Sequence, residues 1–163
     1  MKARPVGAAA IPGGFWRVRG RLVAMLISGI ALALKAHNPK VRIIGVESSG
    51  APGMKRSVEE GRLVTLDRVD CIIDGLRVKR VGETNLEIVR QYVDDIVTLP
   101  DEDIFDAVVW TMHYAKVVPE GAAASTVGAL LHGLIKAPKG SRVVAVLSGG
   151  NVNLDQLKGL RWN

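Results

Sequence analysis

The sequence predicts an α/β protein with a doubly wound, mostly parallel sheet. Val41–Val46 (VRIIGV) and Arg142–Leu147 (RVVAVL) are apolar runs with one charge each. Such runs suit strands buried on both faces. Stretches with helical spacing alternate with them and with a shorter strand candidate, Ile96–Leu99. That alternation argues for a parallel sheet covered by helices on both sides. In such sheets ligands sit beyond the carboxyl ends of strands. Two glycine-bearing loops answer that description, Glu47–Gly53 after VRIIGV and Ser148–Asn151 after RVVAVL.

The elements follow in order. Residues 1–21 show no clear period. Leu22–Ala36 reads as a mostly buried helix, stopped at His37-Asn38-Pro39, because Pro39 disfavours helical backbone at Asn38. Met54–Gly61 reads as a short helix with Gly61 as its stop. Cys71–Asp74 (CIID) is a loop or short strand before Gly75. Asn85–Tyr92 is a helix with Leu86, Ile88, Val89 and Tyr92 as inward candidates. Pro100-Asp101-Glu102-Asp103 starts a helix whose acids suit the N-terminal dipole, and it runs on over Asp103–Ala115. Glu120 opens a small-residue helix that ends near Gly133. Asp155–Leu160 is a terminal turn or short helix.

Composition bounds the function. The chain has 163 residues, 48% hydrophobic and 23% charged, a core-forming composition for a single domain or part of one. One cysteine, Cys71, allows no internal disulfide, so a reducing, cytoplasmic setting is expected. The net charge is +6, but Lys2, Arg4, Arg17, Arg19 and Arg21 supply five of those charges, with no acid among residues 1–21. The basicity belongs to one segment, not to a face. Aromatics are 4%, too few for a base-stacking platform, so no nucleic-acid partner is expected. That segment is acid-poor as targeting peptides are, yet Pro12-Gly13-Gly14 breaks any amphipathic helix in it. The apolar stretch Leu22–Leu34 is too short to span a bilayer, and no membrane partner is expected.

Ser148-Gly149-Gly150-Asn151 is the sharpest local motif. Two glycines after a buried strand let backbone N–H groups approach a ligand, and Ser148 offers a hydroxyl that can donate or accept. A plain tight turn is the bland alternative. Glu120 precedes Gly121-Ala122-Ala123-Ala124, a close-packing helix start, or simply a capped core helix. Glu47 and the Ala51 carbonyl could offer oxygen to a hard cation, although two ligands are far too few to define a site. His37, His113 and His132 show no metal spacing, and no nucleotide or hydrolase motif is present.

Taken together, LISGIALALKAHNPKVRIIGVE, GAPGMKRS, CIIDGLRVKRVGE, EIVRQYVDDIVTLPDEDI, VVPEGAAAS and VVAVLSGGNVNLDQL resemble the C-terminal half of the threonine/serine dehydratases. These threonine ammonia-lyases are fold type II pyridoxal-phosphate (PLP) enzymes related to serine racemase. The likeness runs from about Leu26 to Leu157. It divides the chain into an unmatched basic segment, 1–25, and a C-terminal part of the large domain, 26–163, truncated at its N-terminus. It implies a carbon–nitrogen lyase of amino-acid metabolism, in the chemistry of isoleucine biosynthesis, that converts L-threonine or L-serine to a 2-oxo acid and ammonia. PLP is the electron sink of that reaction.

The resemblance also implies residue roles. Ser148 faces the pyridine nitrogen, Gly149, Gly150 and Asn151 wall the ring, and Glu120 lies near its other polar edge. Glu47 and Ala51 match part of a cation site whose third ligand is an acid in some members. Here that position is Gly53. The family's Schiff-base lysine motif and its substrate loop are missing, so no catalytic residue is assigned. The glycine run that cradles the phosphate before the LISGIA helix is replaced by Arg21-Leu22-Val23-Ala24-Met25. Ile73 and Ala123 stand where the family has smaller residues and are expected to crowd a cofactor pocket. The chain is therefore expected to be inactive alone, with Met1–Met25 read from a shifted frame or a new start. The C-terminal end looks natural, with Trp162 near it, and no isoleucine-sensing domain is expected. The alternative is a non-catalytic fragment, or one half of a split enzyme. Its exposed sheet and apolar face would pair it with itself as a homo-oligomer or with a missing N-terminal half.

Overall fold

The computed structural model describes residues 22–152 and Asp155. Helix α1 spans Leu22–His37, and Lys35 and His37 in its last turn suit the negative end of its dipole. Strand β1 is Ile44–Ser48. Helix α2, Gly53–Glu59, ends before Gly61, whose φ of 67° favours a residue without a Cβ. A 3-10 turn at Asp74–Leu76 precedes α3, Glu83–Tyr92. Strand β2, Asp95–Leu99, leads into α4, Asp101–Trp110. The first turn of α4 carries Asp101, Glu102 and Asp103, as the sequence predicts. A π turn over Thr111–Ala115 closes it, and α5 spans Gly121–Leu131.

Among the described residues the sheet has two strands, β1 and β2, paired in parallel from Ile44 opposite Asp95 to Ser48 opposite Leu99. Helices cover both faces. On one, Ile96 packs in a cluster with Ala24 and Ile27 of α1, Met54 of α2 and Leu86 and Val89 of α3. On the other, Val46 and Leu99 pack with Ile104 of α4, and a Cβ on Gly128 of α5 would lie 2.6 Å from the Leu99 side chain. The predicted α/β class with a parallel sheet is therefore present.

Two expectations need correction. Arg142–Leu147 forms no strand here; Val144 is 84% exposed, and Val143, Val146 and Leu147 are exposed too. Its residues have strand chemistry but, among the described residues, no neighbouring strand to complete a ladder. Helix α1 is not mostly buried: Ala24, Ser28 and Ala31 are, whereas Met25, Leu26, Leu32 and Leu34 are exposed. Among the described residues, only part of its circumference has protein to pack on. The expectation for Asp155–Leu160 lies outside the described residues except for Asp155.

Candidate functional site

The two loops singled out in the sequence have different fates. After β1, the backbone enters a network. Ser48 Oγ donates to Asp101 Oδ1 at 2.5 Å and accepts from the Gly50 N–H at 3.1 Å, while Asp101 Oδ2 accepts from the Ile72 N–H at 2.6 Å. Gly50 has no room for a side chain, since a Cβ would collide with the Asp70 carbonyl. This network ties β1, the 70–73 loop and the start of α4 together. Sequence reasoning missed it, because Ser48 and Asp101 are 53 residues apart and each has an unremarked local role.

Glu47 faces the start of α2. Its two carboxylate oxygens accept from the Met54 and Lys55 N–H groups, both at 2.9 Å. Burial pushes the Glu47 carboxyl up, and the Lys55 and Met54 N–H groups and the Lys55 ammonium pull it back only in part. The Ala51 carbonyl accepts from the Gly53 N–H at 2.9 Å. Both cation-ligand candidates thus already hold protein donors. Among the described residues no three His, Cys, Asp or Glu side chains gather into a metal-binding group.

The second loop meets Glu120. The Glu120 N–H donates to the Gly149 carbonyl at 3.0 Å, and Glu120 Oε2 accepts from the Asn151 N–H at 3.2 Å. A Cβ on Gly149 would collide with the Glu120 carboxylate, so glycine is what lets the two approach. Opposite, a Cβ on Gly75 would lie 2.5 Å from Ala122 Cβ. Small residues thus bring the CIIDG loop, the α5 N-terminus and the 148–151 loop to one place. Four of the five ring-wall candidates, Glu120, Gly149, Gly150 and Asn151, are in mutual contact or adjacent along the chain, and Ser148 leads into them.

These residues border a cleft of about 1140 Å³, into which Ser148, Gly149 and Glu120 all open. Its walls are apolar, with Ile27 and Ile30 from α1, Ile44 and Val46 from β1, and Val144 and Val146. Ile73 and Ala123 do not line it. Both are buried in the core, where a Cβ on Gly121 would press on Ile73 at 2.9 Å.

The donor set fits one edge of a planar heteroaromatic cofactor. Ser148, Gly149 and Glu120 line the cleft together, which brings a hydroxyl and a carboxylate to one part of it. Lys40, Arg42, Lys136 and Arg142 are the cationic side chains that line the cleft. The first described residue of α1 is Leu22, with Arg21 before it instead of glycines, and no lysine adjoins Ser148–Asn151.

Residues 23–149 match the family described as "Pyridoxal-phosphate dependent enzyme". An L-threonine ammonia-lyase of Thermotoga maritima is 39% identical over 132 residues, 81% of this chain and 32% of that protein. A catabolic L-threonine dehydratase of Escherichia coli is 39% identical over 133 residues, 81% of this chain and 40% of the relative. The chain thus spans a third to two-fifths of these relatives. Among solved structures, maize serine racemase matches with a TM-score of 0.74 at 34% identity, over 85% of this chain and 44% of the other. The processed form of threonine deaminase isoform 2 from Solanum lycopersicum gives 0.73 at 30%, over 82% and 39%.

Proposed function

The chain belongs to the family of pyridoxal-phosphate dependent enzymes, and on that premise we propose that it is the C-terminal part, 26–163, of the catalytic domain of a threonine/serine dehydratase. Completed, that domain would deaminate L-threonine or L-serine to a 2-oxo acid and ammonia. Alone, this chain is inactive. The observation that carries the reading is the meeting of Glu120 with Gly149 and Asn151 at the mouth of the cleft.

Bound PLP would supply the electron sink for loss of the substrate's α-proton. This chain would hold one edge of it. Ser148 would meet the pyridine nitrogen with a neutral hydroxyl, so the ring is not forced into its protonated form. Gly149 and Gly150 would wall the ring, with Asn151 held in place through its N–H on Glu120. The parts that anchor phosphate and form the covalent link are not among these residues, and no reaction step is assigned to them. A cation at Glu47 and Ala51 would have to share oxygens that already accept backbone N–H groups, which makes it a weak site. The single cysteine fits a cytoplasmic setting, and no helix of the described residues is long and apolar enough to cross a membrane.

The visible absorption spectrum of the purified chain with added PLP and L-threonine tests this. The expected result is the spectrum of free PLP and no 2-oxobutyrate. A bound-cofactor band that shifts with L-threonine, with 2-oxobutyrate formed, would show that the chain is active unaided and overturn the reading. The split-enzyme reading has its own support in the exposed valines at 143, 144 and 146, which invite a covering partner.

A further inference from the structure

Strand β2 has one edge on β1 and the other turned outward. The Leu99 carbonyl accepts from the Ser49 N–H at 2.9 Å, so the Leu99 backbone faces β1. Backbone groups of successive strand residues point to opposite edges. Val97 and Asp95 therefore share that direction, and Ile96 and Thr98 present their N–H and C=O groups to the outer edge. Among the described residues no strand lies there. An open edge is a template for another strand. Ile96-Val97-Thr98-Leu99 suits such pairing, with three β-branched residues, a leucine and no charge. Asp94 and Asp95 before the run and Pro100 after it set its limits. A groove of about 170 Å³ runs beside the edge, with Val58, Val89, Val93 and Ile96 in its wall. The side chains of an added strand would find apolar surface there.

The outward groups of Ile96 are already taken. Lys55 Nζ donates to the Ile96 carbonyl at 2.8 Å, and Asp95 Oδ1 accepts from the Ile96 N–H at 2.8 Å. Glu59, one turn further along α2, lies 3.9 Å from Lys55 Nζ and helps to hold the ammonium in place. Beyond the ladder, no backbone hydrogen bond reaches Thr98 among the described residues. We propose that Lys55 and Asp95 form a guard that keeps the outer edge of β2 from pairing with the same edge of a second copy of this chain. Like copies associate most often about a two-fold axis, and two identical edges related in that way pair antiparallel. With the axis beside Val97, Ile96 of each copy faces Thr98 of the other, and the two exchange both backbone bonds. Every backbone bond of that pairing within β2 uses an Ile96 group, so two side chains on one residue block them all. A register with Thr98 opposite Thr98 escapes the guard. It forms only that pair within β2, because Pro100, next in line, offers no N–H.

The test uses the full chain with Lys55→Met, Asp95→Ala or both. Sedimentation and the amide exchange of Ile96 and Thr98 are followed as concentration rises. Lys55→Met keeps the aliphatic stem and frees the Ile96 carbonyl, which then accepts from Thr98 of a second copy. The Thr98 amide should exchange on the order of tenfold more slowly at high concentration than at low. Asp95→Ala frees the Ile96 N–H for the Thr98 carbonyl, and the Ile96 amide should slow with concentration in the same way. The double variant should associate more strongly than either single one, and the unaltered chain should show no such dependence. Three results would overturn the proposal. One is a folded Lys55→Met chain whose Thr98 exchange ignores concentration. Another is association of the double variant without slower exchange at Thr98, which would place the contact elsewhere. The third is concentration-dependent protection of Thr98 in the unaltered chain, which would mean that the edge pairs despite the guard. If the double variant loses its circular dichroism, the single variants decide, since the Lys55 side chain is 35% exposed and Asp95 is exposed too.

Discussion

VRIIGV and RVVAVL have nearly the same composition and opposite surroundings. β1, which begins within the first, is laddered to β2, has helices on both faces and ends in the Ser48–Asp101 network. The second stands exposed beside an apolar cleft, with no backbone hydrogen bond among the described residues. Hydrophobic residues announce a need for burial; they do not supply the neighbour that meets it. The contrast is between a strand that has its partner and a segment that has none among the described residues.

Substitutions on the two sides should separate accordingly. Leu99→Ala removes a side chain 1% exposed, packed on Ile104 and Gly128. It should cost about 2–5 kcal/mol in urea unfolding, as buried leucines do. Ser48→Ala removes a donor to Asp101 and should cost about 1–3 kcal/mol, because the half-buried carboxylate loses its partner. A loss near zero would mean that water replaces the hydroxyl.

The Asp94 carboxylate sharpens the β2 side through pH. Burial pushes its carboxyl up, but the Lys35 ammonium at 2.8 Å and the Ile43 N–H at 2.7 Å outweigh this and hold it below its usual 3.8. A depressed folded value stabilises the fold above pH 3.8 and is lost as pH falls through the folded value. Asp94→Asn should therefore flatten the decline of stability below pH 4, measured by urea midpoints across pH. An unchanged decline would place the acid-sensitive contact elsewhere. The smallest effect is Val144→Ala, which should shift stability by no more than about 0.5 kcal/mol, because 84% of Val144 is exposed. A cost near that of Leu99→Ala would show Val144 packed in solution.

Much of the fold was legible because its signals are local. The Asp101–Asp103 helix start, the Gly61 stop and the α3 residues Leu86 and Val89 fall where periodicity puts them. β1 was predicted to start at Val41, yet its ladder starts at Ile44, where β2 supplies Asp95 as partner. The Ile43 carbonyl is instead held by the Asp94 N–H. Strand limits depend on the neighbour, and so does the existence of a strand at 142–147. Within the site, Glu120 and the SGGN loop could each be singled out, but their contact across 31 residues is tertiary. The Ser48–Asp101 network gave no local sign, and Glu47 revealed its task of capping α2 only once the loop had folded.

Amide hydrogen exchange on the isolated chain, comparing Ile44–Ser48 with Arg142–Ser148, tests the central claim most directly. The pairing of β1 with β2, and the absence of backbone hydrogen bonds over 142–148 among the described residues, predict protection over β1 and exchange close to that of an unstructured peptide over 142–148. Equal, strong protection of both segments in the isolated chain would mean that 142–148 has a hydrogen-bonded neighbour in solution, and would contradict the account.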